Sequence, residues 1–145
     1  MWAMEGIFSG LVAGAIMIIV SEVAYRLDSL RANLIVIDGS FAARILKINR
    51  GNIPRYALGV IVHLITSAVF GLIYTLILSF THFDNRTIWI LIPYVILLWL
   101  AMLFIALPVA GAGIMGRRFG KYVWAEQLGL HIVFGFAFWW ALGLF

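Results

Sequence analysis

The chain has 145 residues, of which 65% are hydrophobic and 11% are charged, with a formal net charge of +4 and no cysteine. This composition is far too apolar for a water-soluble domain, and it indicates a single membrane-embedded unit. The lack of cysteine excludes disulfides, covalently attached c-type haem and thiolate-ligated metal centres. Any bound redox group must therefore use histidine, methionine or oxygen ligands.

Four long apolar runs predict an all-α membrane protein with transmembrane helices at about residues 6–25, 57–80, 88–115 and 122–145. A helix needs about 20 residues to cross a hydrocarbon core of roughly 30 Å. The runs lack the alternating pattern of barrel strands, so helices must satisfy the backbone hydrogen bonds. The first run has no basic segment before it and no cleavage site, and we expect it to remain as a helix.

The connection between the first two runs predicts an amphipathic helix at about residues 40–50. Phe41 and Ile45 fall on one side of this helix, whereas Arg44 and Lys47 fall on the other. The start would be capped by Asp38 or Ser40. We expect the helix to lie at the cytoplasmic membrane surface, with its basic side chains near lipid phosphates. The alternative is a solvated helix that packs on a partner protein.

The distribution of basic residues predicts the orientation of the chain. Except for Arg86, the Lys and Arg residues lie between the first two runs or between the last two. Because positively charged loops stay cytoplasmic, we expect an inner-membrane protein with both termini facing outward. The same distribution explains the positive charge without a nucleic-acid partner.

Two pairs of similar segments indicate an internal repeat. LVAGAIM, starting at Leu11, resembles PVAGAGIM, starting at Pro108, and HLITSAVFGLIY, starting at His63, resembles HIVFGFAFWWAL, starting at His131. The repeat predicts two pseudo-symmetric helix pairs, related by an axis along the membrane normal. Pro108 and Pro93 are expected to kink the third run or to unwind it locally.

The segments IDGSFAARIL, LPVAGAGIMG and LGLHIVFGF, together with the two glycine-containing repeats, carry a family resemblance. In this combination the chain resembles an uncharacterised prokaryotic family of small four-span integral membrane proteins, classed as a domain of unknown function. The resemblance covers most of the chain. It implies the architecture and no activity.

His63 and His131 are the candidate cofactor-binding residues. Counted from the nearest basic residue at about 1.5 Å per residue, both lie roughly 12 to 15 Å inside the cytoplasmic boundary. Two histidines at one depth in a helix bundle can ligate a b-type haem. Gly59, Ser67 and Gly135, each one turn from a histidine, would leave room for the porphyrin.

The same residues allow other interpretations. Small residues spaced at fours around His63 let membrane helices approach closely, and a buried neutral histidine can form a hydrogen bond across such an interface. A proton or quinone site is a third interpretation. Which of the three applies stays open from the sequence.

Two carboxylates, Glu22 and Glu126, could extend the histidine pair into a metal site. A di-iron bundle would need Glu-x-x-His motifs, but Glu126 and His131 are five residues apart and lie on different faces. Glu22 can instead pair with Arg26, four residues further on. We therefore predict no metal site, and the lack of known catalytic motifs predicts no catalytic residue.

These features favour a small non-catalytic membrane subunit of a larger assembly, such as a respiratory or photosynthetic electron-transfer complex. Its expected partners are the lipid bilayer, other membrane subunits and further copies of this chain. The alternative is a small transporter or channel, with a proton or solute path at the pseudo-symmetry axis and residues 108–116 as the moving part.

Overall fold

The computed structural model describes residues 2–48, 54–81, 84 and 86–144, and this part of the chain is helical without any β-strand. The α-helices are α1 (Trp2–Arg26), α2 (Leu34–Ile45), α3 (Arg55–Ser79), α4 (Ile88–Ala101), α5 (Leu107–Ala110) and α6 (Val123–Leu142). A π-helical turn, Met102–Ala106, joins α4 to α5, and a 3-10 turn, Ile114–Gly116, precedes α6.

Three helices among the described residues are long and apolar enough to cross a membrane: Trp2–Arg26, Arg55–Ser79 and Ile88–Ala110. The predicted all-helical, membrane-type fold is confirmed to this extent. The fourth predicted run forms α6, which is not one of the three. Its sequence contains Glu126, Gln127 and His131, which lower its hydropathy. Four spans are therefore not confirmed.

Helices α1 and α3 pack with their backbones in direct contact. A Cβ atom added to Gly71 would collide with the carbonyl group of Gly6 and would lie 3.0 Å from the Cα atom of Gly10. At Gly14, an added Cβ would lie 2.6 Å from the Cβ of Ser67. Small residues at spacings of four permit this close approach, which gives van der Waals contact and replaces the hydrophobic driving force that lipid does not supply.

The helix predicted at residues 40–50 begins earlier than the sequence suggested. Its N-cap is Asn33, whose side-chain oxygen accepts a hydrogen bond from the backbone N–H of Val36 at 3.1 Å. Asp38 and Ser40 lie inside the helix, so the prediction that one of them caps it is wrong. The apolar residues before Asp38 are part of the helix, and a location at the membrane surface stays a prediction.

Helix α2 is docked on the first turns of α3 by a second pair of glycines. An added Cβ at Gly39 would lie 2.9 Å from the carbonyl carbon of Arg55, and one at Gly59 would lie 2.8 Å from that of Ile35. Leu34, Ile35 and Ile37 are almost completely buried. The buried face of α2 thus includes part of the predicted one: Phe41, one turn after Ile37, is partly buried, whereas Ile45 is exposed.

The third run is interrupted beside Pro108, one of the two prolines expected to disturb it, whereas helix α4 continues through Pro93 without unwinding. In the π-helical turn, the N–H of Leu107 donates to the carbonyl of Met102, five residues earlier. Pro108 follows directly and has no N–H to donate, which makes the regular α-helical ladder impossible there. The helix ends at Ala110, because Gly111 takes a left-handed conformation with φ of 88°. Residues 111–115 are thus not part of the span.

The two copies of the VAGA repeat have different backbones. The copy that starts at Leu11 is continuous helix within α1, whereas the copy that starts at Pro108 contains the end of α5 and the 3-10 turn. The interface between α1 and α3 is formed by backbone at glycines, but α4 meets α6 through side chains such as Val95. The predicted pseudo-symmetry is not confirmed.

Helix α6 extends from one end of the bundle to the other. Near its start, Glu126 Oε2 accepts the backbone N–H of Arg31 at 3.0 Å. Near its end, Trp139 Nε1 donates to the carbonyl of Arg86 at 3.2 Å, and the Arg86 guanidinium lies 4.4 Å from the centre of the Trp139 ring. The chain therefore places the ends of α1 and α6 that carry Arg26 and Glu126 on the same side of the bundle.

Candidate functional site

A cavity of about 350 Å³ lies between α2, α3, the region from α4 to the π-helical turn, and α6. Both candidate histidines, His63 and His131, border it. Most of its wall is apolar, and the remaining polar side chains are those of Asp38, Thr66 and Ser67. The fold thus brings the two predicted residues to one space and adds a carboxylate from α2.

His63 is oriented by a hydrogen bond that it donates to helix α2. Its Nδ1–H donates to Asp38 Oδ2 at 2.7 Å, and the residue is only 6% exposed. Its other ring nitrogen, Nε2, is buried and has no hydrogen-bond partner within the described part of the chain. In a neutral ring whose proton is on Nδ1, Nε2 is an acceptor. In that form, His63 presents an unused lone pair in an apolar environment.

His131 is oriented in the same sense by its own helix. Its Nδ1–H donates to the carbonyl of Gln127, one turn earlier in α6, at 2.8 Å. The ring is buried, and the neutral form again has its acceptor at Nε2. A carboxylate or carbonyl at Nδ1 is the usual arrangement of a histidine that coordinates a metal through Nε2. As nitrogen donors, the two rings fit a haem iron.

The space around the rings fits a haem less well. Gly59 and Gly135, expected to leave room for a porphyrin, instead contact other helices: a Cβ at Gly135 would lie 3.0 Å from Val95 Cγ2 of α4, and one at Gly59 would meet α2. That expectation is wrong for both glycines, which serve helix packing. The described cavity wall also carries the Asp38 carboxylate and no Lys or Arg to pair with haem propionates. Haem b stays a prediction.

The two carboxylates considered from the sequence lie away from the cavity. Glu22 Oε1 accepts from Arg26 Nε at 2.7 Å, as predicted, and Glu22 Oε2 accepts from Asn33 Nδ2 at 3.0 Å. Glu126 accepts the backbone N–H of Arg31. In the described ranges, no group of three or more His, Asp and Glu side chains is arranged to hold a metal ion. Both glutamates therefore tie helix ends and loops together.

Asp38 is the residue at this site that sequence reasoning missed as a functional candidate. It was considered only as a helix cap, because the helix was expected to start beside it. The available signal was a single carboxylate within the apolar stretch LIVIDGSF, next to a glycine. An acid that stands alone among buried apolar residues needs a partner, and here the partner is His63.

Comparisons of the chain with protein-family models, with curated proteins and with solved structures give no match. The function is therefore argued from the geometry of the cavity itself.

Proposed function

We propose that this protein is a small, non-catalytic, four-span subunit of an electron-transfer assembly in the cytoplasmic membrane, and that its cavity holds a lipophilic redox ligand. The observation that carries the proposal is the histidine pair. His63 and His131 border one apolar cavity, and an oxygen acceptor at each Nδ1 leaves each Nε2 available. An orienting oxygen acceptor at Nδ1 is also the arrangement found on histidines that bind a ligand through Nε2.

The contacts at the two ends of the bundle support four spans and the proposed orientation. Helix α6 bonds to Arg31 at one end and to Arg86 at the other, so it covers the same length as the helices beside it. The two connections that carry most of the Lys and Arg residues meet at one end of the bundle. Arg44 contacts the backbone at Gly111, and Arg31 contacts the backbone at Gly120. One positively charged end is what the positive-inside rule associates with the cytoplasm.

The outer surface supports an assembly partner. Large apolar side chains are exposed on α6, where Phe136 is 69% exposed and Trp140 is 53% exposed. On the same helix, an added Cβ at Gly129 would meet nothing within 4 Å. Such a surface suits lipid, another membrane subunit or a second copy of the chain.

The test is purification in a mild detergent, followed by mass spectrometry of the proteins and small molecules that remain bound. A lipophilic redox compound that is present in wild type and lost in both His63→Ala and His131→Ala supports the proposal. Ser79→Ala is the control, because the Ser79 hydroxyl donates to the carbonyl of Leu76 in its own helix, away from the cavity. Retention of the compound in both histidine variants would contradict the proposal.

A transporter is the second candidate, and the interruption of the third span favours it. The π-helical turn Met102–Ala106 borders the cavity, and the helix ends four residues later at Ala110. Such turns and broken helices occur at functional sites and in transporters. Proton or solute flux in reconstituted vesicles, lost in His63→Ala, would support a path through the cavity. A stable bundle without flux would favour the subunit.

A further inference from the structure

The hydrogen-bonding groups on the cavity wall are mainly acceptors. The proton on Nδ1 of each histidine is already donated, to Asp38 and to the Gln127 carbonyl, which leaves two Nε2 lone pairs. The Thr66 hydroxyl donates to carbonyls of its own helix, at 2.9 Å to Val62 and 3.0 Å to His63. A ligand that enters the cavity therefore meets acceptors that need a donor.

The buried Nε2 of His63 is the second observation that points to a ligand. It belongs to a residue that is only 6% exposed and borders the cavity, and it has no partner in the structure's described ranges. A buried acceptor without a donor is destabilising, and a ligand that supplies an O–H group removes this cost. The other side chains of the cavity wall indicate what shape that ligand has.

The apolar wall suits a flat aromatic ring. Phe41, Phe70 and Phe134 border the cavity together with Met17 and Met102, and aromatic and thioether side chains make favourable contacts with ring faces and edges. The volume of about 350 Å³ falls within the range of small-molecule sites. The site thus combines an apolar wall with aromatic side chains and acceptors for hydroxyl hydrogens.

We infer that the ligand is a lipid-soluble quinol, bound with one hydroxyl donating to His63 Nε2, and that the site prefers the reduced quinol to the oxidised quinone. The inference rests on the proposed function and specifies its ligand. A quinone offers only carbonyl acceptors, so it would place an acceptor against the His63 lone pair. The Ser67 hydroxyl can rotate to donate or accept, and it does not discriminate between the two forms.

Asp38 is the positioning residue for this preference, because it accepts the Nδ1 proton and so keeps the acceptor on the cavity side of the ring. In Asp38→Asn, the amide can present either its oxygen or its N–H₂ group to Nδ1, so the ring proton is no longer held on Nδ1 and Nε2 becomes a donor in part of the molecules. The variant should therefore show a smaller preference for quinol over quinone than wild type does. Asp28→Asn is the matched control, since Asp28 is an exposed carboxylate in the turn after α1.

The experiment uses the full chain in lipid nanodiscs under anaerobic conditions, with decylubiquinol and decylubiquinone as probes and tryptophan fluorescence as the binding signal. One mismatched buried hydrogen bond predicts that quinol binds about tenfold more tightly than quinone. The ring tautomer is read separately from ¹⁵N NMR shifts of histidine-labelled protein. We expect a proton on Nδ1 and none on Nε2 of His63 in wild type and in Asp28→Asn.

Four results would overturn the inference. Quinone that binds as tightly as quinol would remove the donor argument, and 1-decanol that binds as tightly as quinol would remove the argument for a ring. A His63 ring with a proton on Nε2 in wild type would remove its physical basis, even if Asp38→Asn does not fold. If haem rather than quinol binds at His63 and His131, the inference fails while the proposed redox-ligand site stands.

Discussion

The contact between α1 and α3 predicts a large effect from a single methyl group at Gly71. In Gly71→Ala, the new Cβ would lie 2.9 Å from the carbonyl carbon of Gly6 and 3.0 Å from the Cα of Gly10. Both obstructing groups belong to the backbone of α1, so no side chain can turn away. The Gly6 carbonyl oxygen is nearer still, so the helices must separate by roughly 1 Å or more to reach ordinary contact. A gap of about 0.5 to 1 Å already loses a quarter to a half of each dispersion contact.

The size of the effect follows from two opposing contributions. Overpacking of a tight interface costs about 3 kcal/mol at the upper end of its usual range, which applies because backbone atoms obstruct the methyl group. Alanine is favoured over glycine within a helix by about 1 kcal/mol. We therefore expect Gly71→Ala to lower the free energy of unfolding by about 2 kcal/mol.

Gly129→Ala is the matched control, because nothing lies within 4 Å of its added Cβ. Only the helix preference then acts, and we expect a gain of up to about 1 kcal/mol. The assay is unfolding in increasing mole fractions of SDS, followed by far-UV circular dichroism, for wild type and both variants. The assigned backbone contact is refuted if Gly71→Ala unfolds at the same SDS mole fraction as wild type. It is also refuted if Gly129→Ala is destabilised as much as Gly71→Ala.

Two further predictions concern the core and the cofactor. Tyr94 donates its hydroxyl to the carbonyl of Phe70 at 2.6 Å, whereas the buried Tyr74 hydroxyl has no partner among the described residues. Tyr94→Phe should thus lower the free energy of unfolding by about 1 kcal/mol in the same SDS assay, whereas Tyr74→Phe should leave it unchanged or raise it. Equal losses in the two variants would contradict this. A reduced-minus-oxidised spectrum of purified protein distinguishes the two ligands: the quinol inference predicts a wild type without a b-type band, whereas a b-type band that disappears in His63→Ala and His131→Ala would show haem b instead.

The long helices could be predicted from the sequence because the length of an apolar run determines them. The predictions of 57–80 and 6–25 overlap almost all of Arg55–Ser79 and most of Trp2–Arg26. The third run was predicted too long, since hydropathy does not distinguish helix from the turn that begins at Gly111. A left-handed glycine leaves the chain as apolar as before, so only the backbone geometry shows where the helix ends.

The sequence allowed the two histidines of the site to be predicted, but not the residues to which they are hydrogen-bonded. Equal depth follows from counting residues along two helices, and it correctly suggested that His63 and His131 could share one space. The contact with Asp38 requires the docking of α2 on α3, which depends on the three-dimensional match of two glycine surfaces. The start of α2 could not be predicted from capping preference, because Asn33, Asp38 and Ser40 are equally suitable caps by residue type, and the helix uses Asn33. No periodicity within one segment contains that information.

The glycine that docks α2 and the carboxylate that orients His63 are consecutive residues. Gly39 sets how closely the backbone of α2 approaches Arg55, and Asp38, one residue earlier, reaches His63 two turns further along α3. The length of an aspartate side chain is therefore matched to a fixed distance between two backbones. A bulkier residue at position 39 would push α2 away from α3 and so move Asp38 away from His63. Helix spacing and the orientation of the His63 ring therefore depend on two adjacent residues.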